Sequence, residues 1–385
     1  MKSVLLLVFP LVFLYLFSFL AVSYLYADVS FSSFGPKQLN WSRGPRRVQE
    51  AEQYIQNLPP RNTPPVFETN PHGLDVCIGI LPSNHSQDFL KSTEITVGSL
   101  FDTFNAEDRS RIHVTLFLPK TESNAHLEAT KGYSHLVNSV LVYPEQGYQK
   151  IVRLENWAEP VNGLEYNRNT KEIFEYAHIL QYCDAKRPMY TLILRDVVAT
   201  RDWFRQLELA LASVNYRDDW LYMRMFYSEE LLGFHLRDSL WVLMYIAASV
   251  LLFRWLLNSF LPEYVDYHTF LTISLVLLIC LIPWSIGRQN IFPVSTGASE
   301  LPNGCCTEAV VYNQNHIPAL LSSLLVHEKP HSQSLASRLS QFSSAQQLRQ
   351  LAWTPSAFQT LGVTFANQTH LKSYGSLSFE RGYKR

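Results

Sequence analysis

The chain has 385 residues, 47% of them hydrophobic and 17% charged, and its formal net charge is −1. That size suits one large domain, or two moderate ones, with membrane segments added. Near-neutral charge gives no electrostatic basis for gripping a phosphate backbone, so the sequence offers no case for a nucleic-acid partner.

The charged fraction lies below the ~25% of ordinary globular chains. Three apolar stretches account for much of the deficit. The first covers residues 4–26, with Lys2 as the only preceding charge. It is longer than the core of a secretory signal and lacks a small-residue exit, since Tyr24, Tyr26 and Asp28 follow. It therefore reads as an uncleaved signal anchor over residues 1–27, with the N-terminus cytosolic. Residues 28–71 mix Pro, Gly and Ser and read as a stem, interrupted by a helical piece at 47–58. Glycosylation acceptors at Asn40, Asn84 and Asn367 agree with a luminal location.

From Asp75 the pattern changes. Residues 76–81 read as a buried strand, followed by a helix at 89–105 and strands at 112–118 and 137–143. A helix at 170–183, a strand at 189–194 and a helix at 202–213 follow. Short buried strands alternating with helices predict an α/β layer structure, with ligands beyond the carboxyl ends of the strands. At one such end, Leu194-Arg195-Asp196-Val197, a carboxylate emerges from an apolar run. Asp196 can serve as a hard oxygen ligand for a divalent cation that bridges nucleotide phosphates. Arg195 can neutralise phosphate directly. The bland alternative is a strand-end salt bridge between the two.

Residues 219–227 are aromatic and partly alternating, consistent with an edge strand lining an acceptor cleft or with a segment approaching a membrane. Glu229, Glu230 and His235 are polar candidates nearby. Two apolar stretches, 239–261 and 267–286, then flank a short polar turn with Pro262, Glu263 and Asp266. At ~1.5 Å per helical residue, each is long enough to cross a ~30 Å hydrocarbon layer. A hairpin returns the chain to the side it left, so the sequence on either side of it can build one domain. Beyond it, residues 303–312 read as a turn at Gly304 followed by a strand. Glu308, in that stretch, is a general-base candidate, with a solvated strand residue as the alternative. Residues 316–328 look helical; 330–346 are a Ser- and Gln-rich tail; 353–362 can fold back over the site.

There are five cysteines. Cys77, Cys183, Cys305 and Cys306 can form two disulfides in an oxidising lumen, with pairing left open. Cys280 lies in the third apolar stretch. No CxxC…CxxC or HExxH spacing suggests zinc.

The order of anchor, α/β segment, Leu194-Arg195-Asp196-Val197-Val198-Ala199-Thr200-Arg201-Asp202-Trp203-Phe204, the Trp220–Tyr227 stretch, membrane hairpin and Gly304-Cys305-Cys306-Thr307 resembles the post-GPI-attachment-to-proteins factor 4 family. These are Golgi glycosyltransferases that modify GPI anchors. The likeness covers roughly residues 75–362 and the anchor. It implies a GT-A-like glycosyltransferase domain interrupted by a tandem transmembrane hairpin. The transferase parts would be residues 72–238 and 287–385, both luminal, around a hairpin at 239–286, giving three spans in the Golgi membrane. It implies UDP-N-acetylgalactosamine as donor and a mannose of the GPI glycan as acceptor, with GPI-anchored proteins and membrane lipid as partners. Carried over from the family's Glu-Asp-Asp motif, Arg195, Asp196 and Val197 retain only Asp196. Where relatives often have a histidine, Thr360 follows Gln359. On this reading Pro82, Ser83, Arg195 and Asp196 hold the UDP-sugar, Asp196 meets a divalent cation such as manganese, and Glu308 or Glu229 takes the acceptor proton. The incomplete motif leaves a second reading open, a relative that binds GPI-anchored proteins without transferring sugar. A three-span transporter fits poorly, because most of the chain lies outside the apolar stretches.

Overall fold

A computed structural model describes residues 17, 19–21, 24, 43–58, 75–81, 89–119, 132–143, 163–214, 217–228, 236–260, 268–269, 272–273, 276, 295–301, 306–325 and 334–361. The chain divides into two compact units: Met1–Asn40 with Glu230–Val294, and Trp41–Glu229 with Ser295–Arg385.

The larger unit is built on an eight-stranded sheet in the order β3-β2-β1-β4-β8-β6-β9-β7. Its strands are β1 (Val76–Leu81), β2 (Ile112–Pro119), β3 (Ser139–Tyr143), β4 (Tyr190–Arg195), β6 (Trp220–Arg224), β7 (Gly297–Glu300), β8 (Ala309–Asn313) and β9 (Arg349–Thr354). β1 through β4 are parallel; β8 runs antiparallel between β4 and β6, β9 runs parallel to β6, and β7 closes the edge antiparallel. A separate two-stranded ladder pairs β5 (Val197–Ala199) with β10 (Phe358–Thr360).

The helices are α1 (Arg43–Gln56), α2 (Phe89–Phe101), α3 (Ala106–Ser110), α4 (Gly163–Lys186), α5 (Trp203–Val214), α6 (Leu236–Phe260), α7 (Ile317–Leu325) and α8 (Leu335–Ala345). α2 and α5 cover one face of the sheet and α4, α7 and α8 the other, while α6 belongs to the smaller unit. Val76, Ile78 and Ile80 of β1 pack with Val97 and Leu100 of α2 and Leu207 of α5. On the opposite face, Leu81, Ile193, Val310 and Tyr312 pack with Ile179 of α4, Leu320 of α7 and Leu339 of α8. Period-two alternation explains how one strand feeds two cores, and burial on both sides explains the near-continuous apolar runs. The α/β expectation is met in this mixed, helix-covered sheet.

Two glycines set close approaches. A Cβ on Gly79 would lie 2.2 Å from Ile179 Cδ1, so β1 can lie hard against α4. Two residues back along β1 and about one turn on along α4, the Cys77–Cys183 disulfide ties the same two elements together. Cys306 is also disulfide-bonded, with its partner outside the described residues. A Cβ on Gly98 would lie 2.6 Å from the Ala51 carbonyl oxygen, which lets α1 settle onto α2.

Several expectations shift. Part of the expected stem folds into the larger unit as α1, because buried Arg47 hydrogen-bonds to the Ala199 and Ser99 carbonyls and ion-pairs with Asp102. The expected edge strand is interior: β6 lies between β8 and β9 and is buried along its whole length. Its second neighbour comes from beyond the Ser- and Gln-rich tail, which also supplies α8 through buried Leu335, Leu339 and Phe342 at helical spacing.

Among the described residues, one helix is long and apolar enough to cross a membrane, Leu240–Ser259, within the first of the two hairpin stretches. Most of the N-terminal apolar stretch and of residues 261–294 lies outside the described residues, as do the three glycosylation acceptors.

Candidate active site

The site is assembled where β4 ends. Leu81, the last residue of β1, is in register with Arg195, and the Arg195 N–H donates to the Glu308 carbonyl at 2.7 Å. The carboxyl ends of β1 and β4 and the start of β8 therefore meet at one edge of the sheet. Open α/β sheets bind ligands at that edge.

Asp196 sits just past β4 with φ of 49°, in the left-handed region. Non-glycine residues are uncommon there, and Asp is among the more tolerant types. The conformation is held from outside. The Leu361 N–H donates to the Asp196 carbonyl at 2.7 Å, and the Ser92 hydroxyl of α2 donates to Asp196 Oδ1 at 2.7 Å. β5 then leaves Asp196 and pairs antiparallel with β10, Val197 opposite Thr360 and Ala199 opposite Phe358. Within the 353–362 segment, β10 thus pairs with the strand that follows Asp196.

Arg195 and Asp196 turn to different surroundings. Arg195 points to the α4 face, where its guanidinium meets Glu172 and Glu175 at 3.1 Å each. It also lies 5.8 Å from the centroid of the Tyr176 ring. Burial disfavours its charge, but Glu175 and Glu172 outweigh burial and hold its pKa above the ordinary value. The expected salt bridge between Arg195 and Asp196 is therefore not formed among the described residues; Arg195 pairs with Glu172 and Glu175 of α4 instead. Its charge is already matched by two carboxylates, one of them fully buried.

Glu308 shares this neighbourhood. Its Oε2 is buried and, among the described residues, has no hydrogen-bond partner. Burial pushes its carboxyl pKa up, with Glu172 and Asp196 adding to that and Arg195 opposing it. A carboxyl with a raised pKa and an unpaired oxygen is the physical profile of a general acid–base group. The sign of the stability effect follows from the raised pKa. The contribution of protonated Glu308 is complete below the ordinary glutamate range and is lost as pH rises through the folded-state value. Glu308→Gln is therefore expected to match or exceed wild-type stability above that window, with a flatter pH dependence across the window itself. Thermal denaturation across pH checks this, and a steeper dependence in the variant would refute it.

Pro82, Ser83 and Glu229 lie outside the described residues, as do Glu230, His235 and Gly304. Among the described residues, no group of three or more His, Cys, Asp or Glu could hold a metal ion. Asp196 offers a hard carboxylate at the sheet edge, with its one described hydrogen bond on Oδ1. That donor set does not make a closed protein cage. It matches the other mode, in which one or two carboxylates hold a cation whose remaining ligands are substrate phosphates.

Sequence reasoning missed Ser92, Glu172 and Glu175. The signal for Glu175 was its position inside the apolar face of α4, between Phe174 and Tyr176, where a buried acid requires a partner. Ser92 had a weaker signal, hydroxyls at 92, 96 and 99 along one helix.

No curated protein matches the chain significantly. Among solved structures, the crystal structure of mouse xyloside xylosyltransferase 1 in its apo form is similar over 72% of this chain and 77% of that chain, with 10% identity and a TM-score of 0.33. The sequence pattern of the family described as GPI-N-acetylgalactosamine transferase PGAP4 matches residues 92–359. That match begins at Ser92, takes in the strand end with Arg195 and Asp196 as well as Glu308, and closes in β10, so more than half of the chain follows the pattern and the protein belongs to that family.

Proposed function

We propose that this chain transfers N-acetylgalactosamine from a UDP-sugar to a mannose of the GPI glycan, using a GT-A-like domain in the Golgi lumen. The observation that carries the reading is the placement of Asp196 and Glu308 at one carboxyl edge of the sheet, joined by the Arg195 N–H to Glu308 carbonyl bond of 2.7 Å. Family membership supports the acceptor class.

In the proposed mechanism Asp196 holds the donor at the strand end, with Pro82 and Ser83, the next residues in sequence after Leu81, as further donor-binding residues. A divalent cation bound there would neutralise charge on the departing diphosphate. The acceptor hydroxyl oxygen forms a bond to the anomeric carbon. The bond from that carbon to the diphosphate oxygen breaks, and its electron pair leaves with UDP. The hydroxyl proton passes to ionised Glu308, with Glu229 as the alternative acceptor. Arg195 keeps Glu172 and Glu175 paired and sets the local field.

Connectivity supports the proposed membrane placement. β4 and β6 precede the apolar region and β8 follows it, yet all three are neighbours in one sheet. A chain that crosses a bilayer at Leu240–Ser259 must cross back before β8, and residues 267–286 are the stretch for that return. With the N-terminal anchor this makes three spans. The buried Cys77–Cys183 disulfide fits an oxidising lumen. Anchoring near the bilayer also raises the encounter rate with a lipid-linked acceptor.

The test is an assay of the purified full chain with a panel of UDP-sugars and a GPI acceptor, with and without manganese. Transfer from UDP-N-acetylgalactosamine to the mannose is expected. GPI-glycan binding with no transfer from any donor would overturn the reading and leave a binding protein.

A further inference from the structure

We propose that Ser92 is a positioning residue for the Asp196 carboxylate, fixing which oxygen faces the donor. The inference rests on the reading of Asp196 given above. It starts from a row of hydroxyls on one face of α2. Ser92, Thr96 and Ser99 are all buried. The Ser92 hydroxyl donates to Asp196 Oδ1 at 2.7 Å, the Thr96 hydroxyl donates to the Val197 carbonyl at 2.8 Å, and the Ser99 hydroxyl accepts the Ala199 N–H at 3.0 Å. The row therefore tracks the chain from Asp196 through β5. Its lower two rungs bind main chain. Only the top rung, among the three, reaches a side chain, and that side chain is the carboxylate at the sheet edge.

The second observation is the backbone beneath it. Asp196 has a φ of 49°, and its carbonyl accepts from Leu361 at 2.7 Å. Left-handed backbone sets the direction in which the side chain leaves the strand end. A hydrogen bond on Oδ1 then selects its rotation. Together they leave Oδ2 as the oxygen a ligand would meet. Strained backbone held by its surroundings is a feature of functional positions. Without the Ser92 hydroxyl the carboxylate keeps its place in the chain and loses its fixed orientation.

The experiment compares purified full-length wild type with Ser92→Ala, Ser92→Thr, Thr96→Val and Asp196→Asn. It reads kcat and donor KM for transfer, UDP-sugar affinity by calorimetry, and Tm. Ser92→Ala is expected to lower donor kcat/KM about 10- to 100-fold, since small misplacements at a reacting centre have effects of that order. Its Tm should fall no further than that of Thr96→Val. Ser92→Thr, which retains the donor, should recover most of the loss. Thr96→Val removes a main-chain contact, so it should lower Tm and leave kcat/KM within about twofold. If Ser92→Thr does not fold, UDP-sugar affinity of Ser92→Ala decides: lowered affinity at a retained Tm supports the inference, and unchanged affinity overturns it. An inactive Asp196→Asn beside a fully active Ser92→Ala overturns the Ser92 inference alone. An active Asp196→Asn, or a wild type that neither binds nor turns over any UDP-sugar, overturns the reading of the site and the inference with it.

Discussion

Asp196→Asn is expected to reduce sugar transfer by about 10²- to 10³-fold, the range seen when one preorganised electrostatic group is removed from a reacting centre. The fold should survive. Asn is also enriched in the left-handed region that the φ of 49° requires, and its amide oxygen can still accept from Ser92. What disappears is the charge. Asp196→Ala should lose as much activity and some stability besides, because alanine is poorly suited to positive φ. The pair separates chemistry from folding. Transfer measured with saturating UDP-N-acetylgalactosamine, alongside Tm, reads both. Retained transfer in the Asn variant would remove Asp196 from the mechanism.

The second large effect is expected at the Cys77–Cys183 disulfide. It joins β1 to α4 across a sequence separation of 106 residues. Closing a loop of ~100 residues stabilises the folded state by about 3–5 kcal/mol, chiefly through the unfolded ensemble. Both cysteines are fully buried, so the paired change to alanine also removes packed sulfur from the core. A domain of this size loses ~2–4 °C per kcal/mol, so the double variant should melt roughly 10 °C lower. The same elements carry the Gly79–Ile179 contact, which leaves little room to repack. An unchanged melting curve under strong reduction would show that the bridge adds nothing to stability.

Much of the sheet was legible because its strands are short apolar runs between turn residues. β1, β2 and β4 lie within a residue or two of where hydrophobic patterning puts them, and β8 forms at the end of the 303–312 turn-then-strand stretch. β9 went unread, and α8 was hidden, since Ser and Gln outnumber the apolar residues across 330–346 and only the spacing of Leu335, Leu339 and Phe342 marks a buried face. That omission also misplaced β6, since a strand reads as an edge when its second partner goes unrecognised. At the site, the emergence of Asp196 at a strand end could be read directly. The partners of Arg195 could not. Glu172 and Glu175 are some twenty positions away on a helix that crosses back over the sheet, and local pattern carries no information about that packing.

The order of residues alone determined that this protein has parallel-strand α/β character, a carboxylate after β4 and an apolar segment able to span a bilayer, because those features are written in local composition and period. Tertiary structure decided that β8 enters between β4 and β6, that Glu308 meets the end of β4, and that Ser92 holds Asp196. Each of those depends on contacts between residues about a hundred or more apart, or on strand pairing across an inserted segment. Such contacts form only when the whole sheet buries both of its faces at once.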